Sequence, residues 1–188
     1  MGFERAKSLR RIEPQRKTGP LARRTEADLP WAPRPGPGAE LLLDTCVYLD
    51  VLQGKTPAEV DELLQLRIVN HSTIAQSELT HLFGRLDPNH SGMRSVLSAM
   101  SGVIDDIPAH RLTAPPARAF GEAGMLDGLV TRLGGRAGGA DLLTDALLFL
   151  QAREMGCALL TANLSDFDLF DQVLPGSGLL LYRTLRKV

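Results

Sequence analysis

Four short apolar runs, each too brief for a helix and each bounded by polar residues or glycine, constrain this chain more than anything else in it. Leu41-Leu42-Leu43 runs into Asp44, and Arg67-Ile68-Val69-Asn70 forms a second run. Cys157 to Leu160 follows Gly156, and Gly178 to Arg183 precedes a basic C-terminus. Short continuous apolar runs without alternation read as strands covered on both faces, the situation of a parallel sheet. Helical patterns separate them: residues 45–53; residues 57–67, with Pro57 in the first turn after Thr56; Ser72 or Thr73 to Phe83, closed by Gly84; Asn89 to Ile104; Pro116 to Leu133; and Asp141 to Met155, closed by Gly156. Gly134 to Gly139 is a glycine-rich break. Strands alternating with helices predict an α/β fold with a largely parallel sheet. In such sheets ligands bind beyond the carboxyl ends of the strands, so the residues just after each run matter most.

Charge divides the chain at residue 40. Residues 1–39 hold nine Lys and Arg against four acids, and the remaining body holds twelve against eighteen. The basic arm also carries Pro14, Pro20, Pro30, Pro33, Pro35 and Pro37 and few large apolar residues. That composition predicts an extended or disordered segment, a solvated tail or an arm that binds nucleic acid or a partner, ahead of a single domain over 40–188. No apolar run follows the basic N-terminus, and Ala146–Leu150 and Gly178–Tyr182 are far short of the roughly 20 residues a membrane span needs. Cys46 and Cys157 match no metal or redox spacing. Aromatic residues make up 5%, too few for a single-strand binder built on base stacking. The expectation is a cytoplasmic globular protein.

Several acids fall where ligands are expected. Asp44 ends the first strand, and its alternative role is capping the helix from Thr45. Glu78 lies between Ile74 and Leu82 at i±4 on a helix, interrupting an apolar stripe, where a carboxylate is costly unless paired or metal-bound. Asp145 sits among Leu142, Leu143, Ala146, Leu147 and Leu148, with Asp141 four residues earlier on the same face; Asp141 is placed as the helix cap. Thr161-Ala162-Asn163-Leu164-Ser165-Asp166-Phe167 follows the third run, as an Asn/Asp-rich turn or as further oxygen ligands. Asp44, Glu78, Asp145, Asn163 and Asp166 thus share one rim with no His or Cys among them. An all-oxygen set suits Mg²⁺ or Mn²⁺, which commonly activates water and clamps a phosphodiester. Asp50 reads as solvated or capping. Gly54-Lys55-Thr56 is no P-loop, because Leu49 stands where the motif needs glycine. His71, His81, His90 and His110 lack zinc spacing; His81, Arg85, Arg132 and Arg136 are surface residues or contacts for substrate phosphate.

Four motifs in order, Leu43-Asp44-Thr45-Cys46-Val47-Tyr48-Leu49-Asp50, Ser77-Glu78-Leu79, Asp145-Ala146-Leu147-Leu148 with Gly156 eleven residues on, and Thr161-x-Asn163-x-x-Asp166-Phe167, resemble the PIN-domain ribonucleases. The likeness is nearest to the VapC-type toxins of bacterial toxin–antitoxin pairs, and it spans residues 40–183. The resemblance implies a PIN-like three-layer fold, a central mostly parallel sheet of about five short strands flanked by helices. It also implies a Mg²⁺-dependent endoribonuclease leaving a 5′-phosphate and a 3′-hydroxyl, a homodimer, an RNA substrate and a cognate antitoxin. Asp44, Glu78 and Asp145 match its three core acids; its fourth position falls on Asn163, with Asp166 beside it. Asp44, Glu78, Asp145 and Asp166 are the expected metal ligands. A housekeeping RNA-processing nuclease and a non-catalytic RNA- or protein-binding module are the alternatives; retained acids disfavour the second, since a pure binder of polyanions gains nothing from them.

Overall fold

All three residues of β1 (Leu41–Leu43) are buried because this strand is the middle of a sheet covered on both faces. In the computed structural model, which describes residues 2–85, 87, 92–135, 139–176 and 178–185, it is joined by β2 (Val69–Ser72), β3 (Leu112–Thr113), β4 (Ala158–Thr161) and β5 (Leu179–Leu181). The order is β3-β2-β1-β4-β5 and every pair is parallel. Leu43 lies beside Leu160, so the carboxyl ends of β1 and β4 are neighbours. The chain leaves β1 toward β2 and returns to β4 on the other side, making this the topological switch point where ligands bind in open α/β sheets.

Successive side chains of a strand point to opposite faces, and the two cores divide accordingly. Leu41 and Leu43 of β1 and Ala158 and Leu160 of β4 face α2 (Thr45–Leu52), α3 (Ala58–Leu66), α4 (Thr73–Arg85) and α5 (Met93–Asp105). Leu42 and Leu159 face α6 (Ala117–Gly134), α7 (Ala140–Met155) and α8 (Leu164–Val173). The three-layer α/β architecture with about five short parallel strands is the expected one. No helix among the described residues is long and apolar enough to cross a membrane.

Four local expectations differ. The strand expected at 67–70 runs from Val69 to Ser72, and β3 and α8 were not anticipated. The stretch read as a turn after Thr161 is the N-terminus of α8, with Leu164, Phe167, Phe170 and Leu174 turned toward the core. Asp141 is not the cap of α7: Gly139 holds that position without a side-chain hydrogen bond, and Asp141 stands exposed in the first turn. Asp50 is buried rather than solvated, because Tyr182, one residue past β5, donates its hydroxyl to it at 2.8 Å. The expected helix start at Asn89, and His90 and Arg136, lie outside the described residues.

The largest departure is the arm. Rather than disordered, it forms α1 (Arg5–Ile12) and then wraps the body. Ile12 and Leu29 enter the core fully or nearly so, and Phe3 packs over Gly121, where a Cβ would collide with its ring. Glu122, 1% exposed, accepts from Ser8 at 2.8 Å and from Arg11. The Leu21 amide donates to the Leu133 carbonyl at 2.8 Å. Arg24 binds Asp168 and Asp171, and Trp31 forms a parallel bridge to Leu181 that shields the β5 edge. Composition misleads here because the arm's few apolar residues and cations meet buried partners supplied by the body.

Candidate active site

Four elements deliver the acids to one cleft of about 560 Å³ at the carboxyl ends of β1 and β4. Asp44 follows β1, caps α2 and lines the cleft. Its Oδ1 caps α2 by accepting from the Thr45 amide at 2.7 Å, and its Oδ2 accepts from Thr161 at 2.5 Å and from the Cys46 thiol at 3.1 Å. Glu78, half-buried on α4 beside the buried Ala75–Leu79 stripe, accepts from the Thr45 hydroxyl at 2.5 Å. Asp145 projects from the second turn of α7. Asn163 caps α8 by accepting from the Asp166 amide at 3.4 Å, while its side-chain amide donates to Asp145 and to Asp166, each at 3.0 Å. The structure therefore brings all five predicted site residues together.

The cleft is dense in negative charge. Ser77, His81, Asp141 and Thr144 complete its wall, and no Lys or Arg among the described residues lines it. Burial pushes the Asp145 carboxyl up to about 9, reinforced by the charges of Asp44, Asp166, Glu78 and Asp141. Burial likewise raises Asp44; hydrogen bonds from Thr161, Cys46 and the Thr45 amide oppose that rise, and the Glu78 charge adds to it. The Cys46 thiol is driven up by burial and by Asp44, so it stays protonated as a donor.

Thr45, Cys46 and Thr161 are the functional neighbours that sequence reasoning did not single out. Thr161 is wholly buried; its hydroxyl holds Asp44 and accepts from the Asn163 amide nitrogen at 2.9 Å, tying the β1 and β4 ends together. Their signal was adjacency: each flanks or lies two residues from a predicted site residue. Arg85 does not line the cleft, whereas His81 does. Arg132 is turned away, donating to the Pro14 and Lys17 carbonyls of the arm. A larger groove of about 760 Å³ between Trp31, Pro57, Tyr182 and Leu185 is mostly apolar and gathers no comparable set of acids.

The donors fit a hard divalent cation in kind: oxygen only, several carboxylates, and a crowded charge that a cation relieves. Among the described residues no three His, Cys, Asp or Glu side chains converge as ready-made ligands, because each carboxylate is turned onto a protein donor. Chemically, the arrangement offers a carboxylate wall around a space open to a phosphodiester.

Fold and cleft together define an α/β protein of PIN-like architecture with an acidic site at its topological switch point. The same fold occurs in VapBC2 from Rickettsia felis bound to a DNA fragment from its promoter, at TM-score 0.52 and 16% identity over 77% of this chain and 98% of that one. FitAcB from Neisseria gonorrhoeae matches at TM-score 0.52 and 19% identity, over 70% and 93%. DNA-bound VapBC from Salmonella typhimurium matches at TM-score 0.50 and 19% identity, over 78% and 98%. No protein-family model matches the sequence, and no curated protein matches it.

Proposed function

We propose that this protein is a Mg²⁺-dependent endoribonuclease acting as the toxin of a toxin–antitoxin pair, with RNA as substrate and a cognate antitoxin as partner. The observation that carries the reading is that Asp44, Glu78, Asp145 and Asp166, from four separate elements, all line one cleft without a lining Lys or Arg among the described residues. The VapC-like motifs and the VapBC structures among the fold neighbours support the toxin assignment. Asp44, Glu78, Asp145 and Asp166 are the residues to hold the cation, which when bound supplies positive charge at the scissile phosphate and lowers the pKa of water. Thr161 and the Thr45 amide fix the Asp44 carboxylate, and Asn163 sets the separation of Asp145 and Asp166, so the wall is oriented before substrate arrives. His81 lines the cleft within reach of substrate phosphate.

Purified protein incubated with single-stranded RNA tests the chemistry: cleavage that requires Mg²⁺ and stops in EDTA is expected, and undiminished cleavage in excess EDTA refutes it. The biological role is tested separately. Expression of the chain should arrest bacterial growth, its gene should adjoin a small antitoxin-like reading frame, and co-expression of that frame should relieve the arrest.

A further inference from the structure

The proposed substrate is a polyanion, yet the body that holds the cleft is net acidic and the cleft itself is walled by carboxylates. A strand that brings one phosphate into that space needs cations beside it for the phosphates on either side. Among the described residues the lining provides none.

The arm docks on α8, one of the helices that border the cleft. From Phe3 on Gly121 and Arg11 on Glu122 it climbs α6 toward its C-terminus, where Arg132 holds the Pro14 and Lys17 carbonyls and Leu133 takes the Leu21 amide. It then crosses α8 at Arg24, whose backbone amide donates to Asp168 at 2.8 Å. The end of α6 leads within a few residues to Ala140 and Asp141, which line the cleft, and α8 begins with Asn163 and Asp166, which also line it. Residues 17–24 therefore dock on the C-terminal turn of α6, which precedes α7 in the chain, and on α8, whose first residues line the cleft.

The arm's cations divide their work. Arg11 and Arg24 are committed to buried carboxylates, and Lys7 and Arg16 pair with Glu4 and Glu13 of the arm itself. Lys17 and Arg23 make no ion pair among the described residues, and Arg23 is exposed. We propose that the arm is a track for the RNA backbone along the α6–α8 flank of the cleft, with Lys17 and Arg23 contacting phosphates. This rests on the nuclease reading above.

The test compares wild type, Lys17→Gln/Arg23→Gln and a control Arg5→Gln/Arg94→Gln of equal charge loss away from the cleft. Binding of a fluorescein-labelled single-stranded oligoribonucleotide is followed by anisotropy in EDTA at several salt concentrations. Cleavage of the same RNA in Mg²⁺ is measured in parallel. Two lost phosphate contacts lower the salt slope by about 1.4 and weaken binding about 25-fold at 0.1 M salt. Both changes in the Lys17/Arg23 variant, with a smaller effect in the control and unchanged thermal unfolding, are the expected result. Wild-type slope and affinity in the Lys17/Arg23 variant, or an equal loss in the control, overturn the track while leaving the nuclease reading intact. Salt-dependent binding by wild type without cleavage in Mg²⁺ overturns the nuclease reading and not the track. Absence of RNA binding by wild type overturns the track, and absence of both binding and cleavage overturns both.

Discussion

Replacing Arg24 with alanine tests whether the arm is part of the folded body. Its Nε donates to Asp168 at 2.5 Å and a terminal nitrogen donates to Asp171 at 2.8 Å. Asp168 is 0% exposed, and its remaining partners, the Arg24 amide and the Gln172 side chain, are neutral. Removing one member of a buried pair costs about 3–5 kcal/mol because the other charge is left uncompensated. The Arg24 side chain is itself 28% exposed, so water moderates the loss and the lower end, about 3 kcal/mol, is expected. For a chain of this size that corresponds to a fall in Tm of about 6–12 °C. Urea unfolding should be followed by two probes. The sole tryptophan, Trp31, lies in the arm against the β5 edge and reports its docking, while far-UV circular dichroism reports the body. Arg24→Ala/Asp168→Asn should recover much of the loss, since the fully buried Asp168 charge is then gone. Exposed Arg10→Ala should stay within about 0.5 kcal/mol of wild type. If Arg24→Ala is as mild as Arg10→Ala, the buried-pair reasoning fails.

Three further outcomes follow from the cleft. Asp145→Asn and Asp44→Asn should each lower Mg²⁺-dependent cleavage by more than about 100-fold, beyond what loss of a supporting partner costs, while raising the Tm of metal-free protein; full activity in either refutes the ligand assignment. The Asp145 carboxyl is raised in the fold to about 9 from 3.8, so in EDTA the unfolded chain releases this proton first. The Asp145 contribution to stability is then greatest below about 4 and declines as pH rises toward 9. Mg²⁺ should offset the decline, so its effect on Tm should grow from pH 5 to pH 8, and a pH-independent effect counts against the cluster. Asp141→Asn should leave stability within about 0.5 kcal/mol, because Asp141 makes no capping bond, and should reduce cleavage less than Asp145→Asn; equal losses place Asp141 among the ligands.

The sheet and the acids were legible for a local reason. A strand buried on both faces shows itself as a run such as Leu41–Leu43, and the residue after it, Asp44, is at the functional rim whatever the rest of the chain does. Glu78 and Asp145 could be found because each interrupts an apolar helical face. The supporting hydroxyls could not be assigned in this way: Thr161 meets Asp44 across 117 positions, and only the β1–β4 register brings them together. β3, two residues long, has no periodicity to detect. The α8 signal, apolar residues three or four apart from Leu164 to Leu174, was present but masked by Asn163, Ser165 and Asp166, which favour turns and helix starts alike.

The arm shows why composition and fold can disagree. Low apolar content predicts disorder when a segment must bury surface by itself. This arm instead supplies what the body lacks: Glu122 and Asp168 are acids sealed in the interior, and each would be prohibitive without a cation brought to it. Arg11 and Arg24 meet that need at separations of 111 and 144 positions, which no local pattern reveals. The excess of positive charge that made the arm conspicuous then has two parts, one consumed in holding it down and one left without an ion pair among the described residues. A tail evolved only for solubility has no reason to spend its arginines on buried acids, and a clamp has no reason to leave Lys17 and Arg23 without an ion pair among the described residues. The two groups of cations together make the arm a fixed element that presents charge at a defined place.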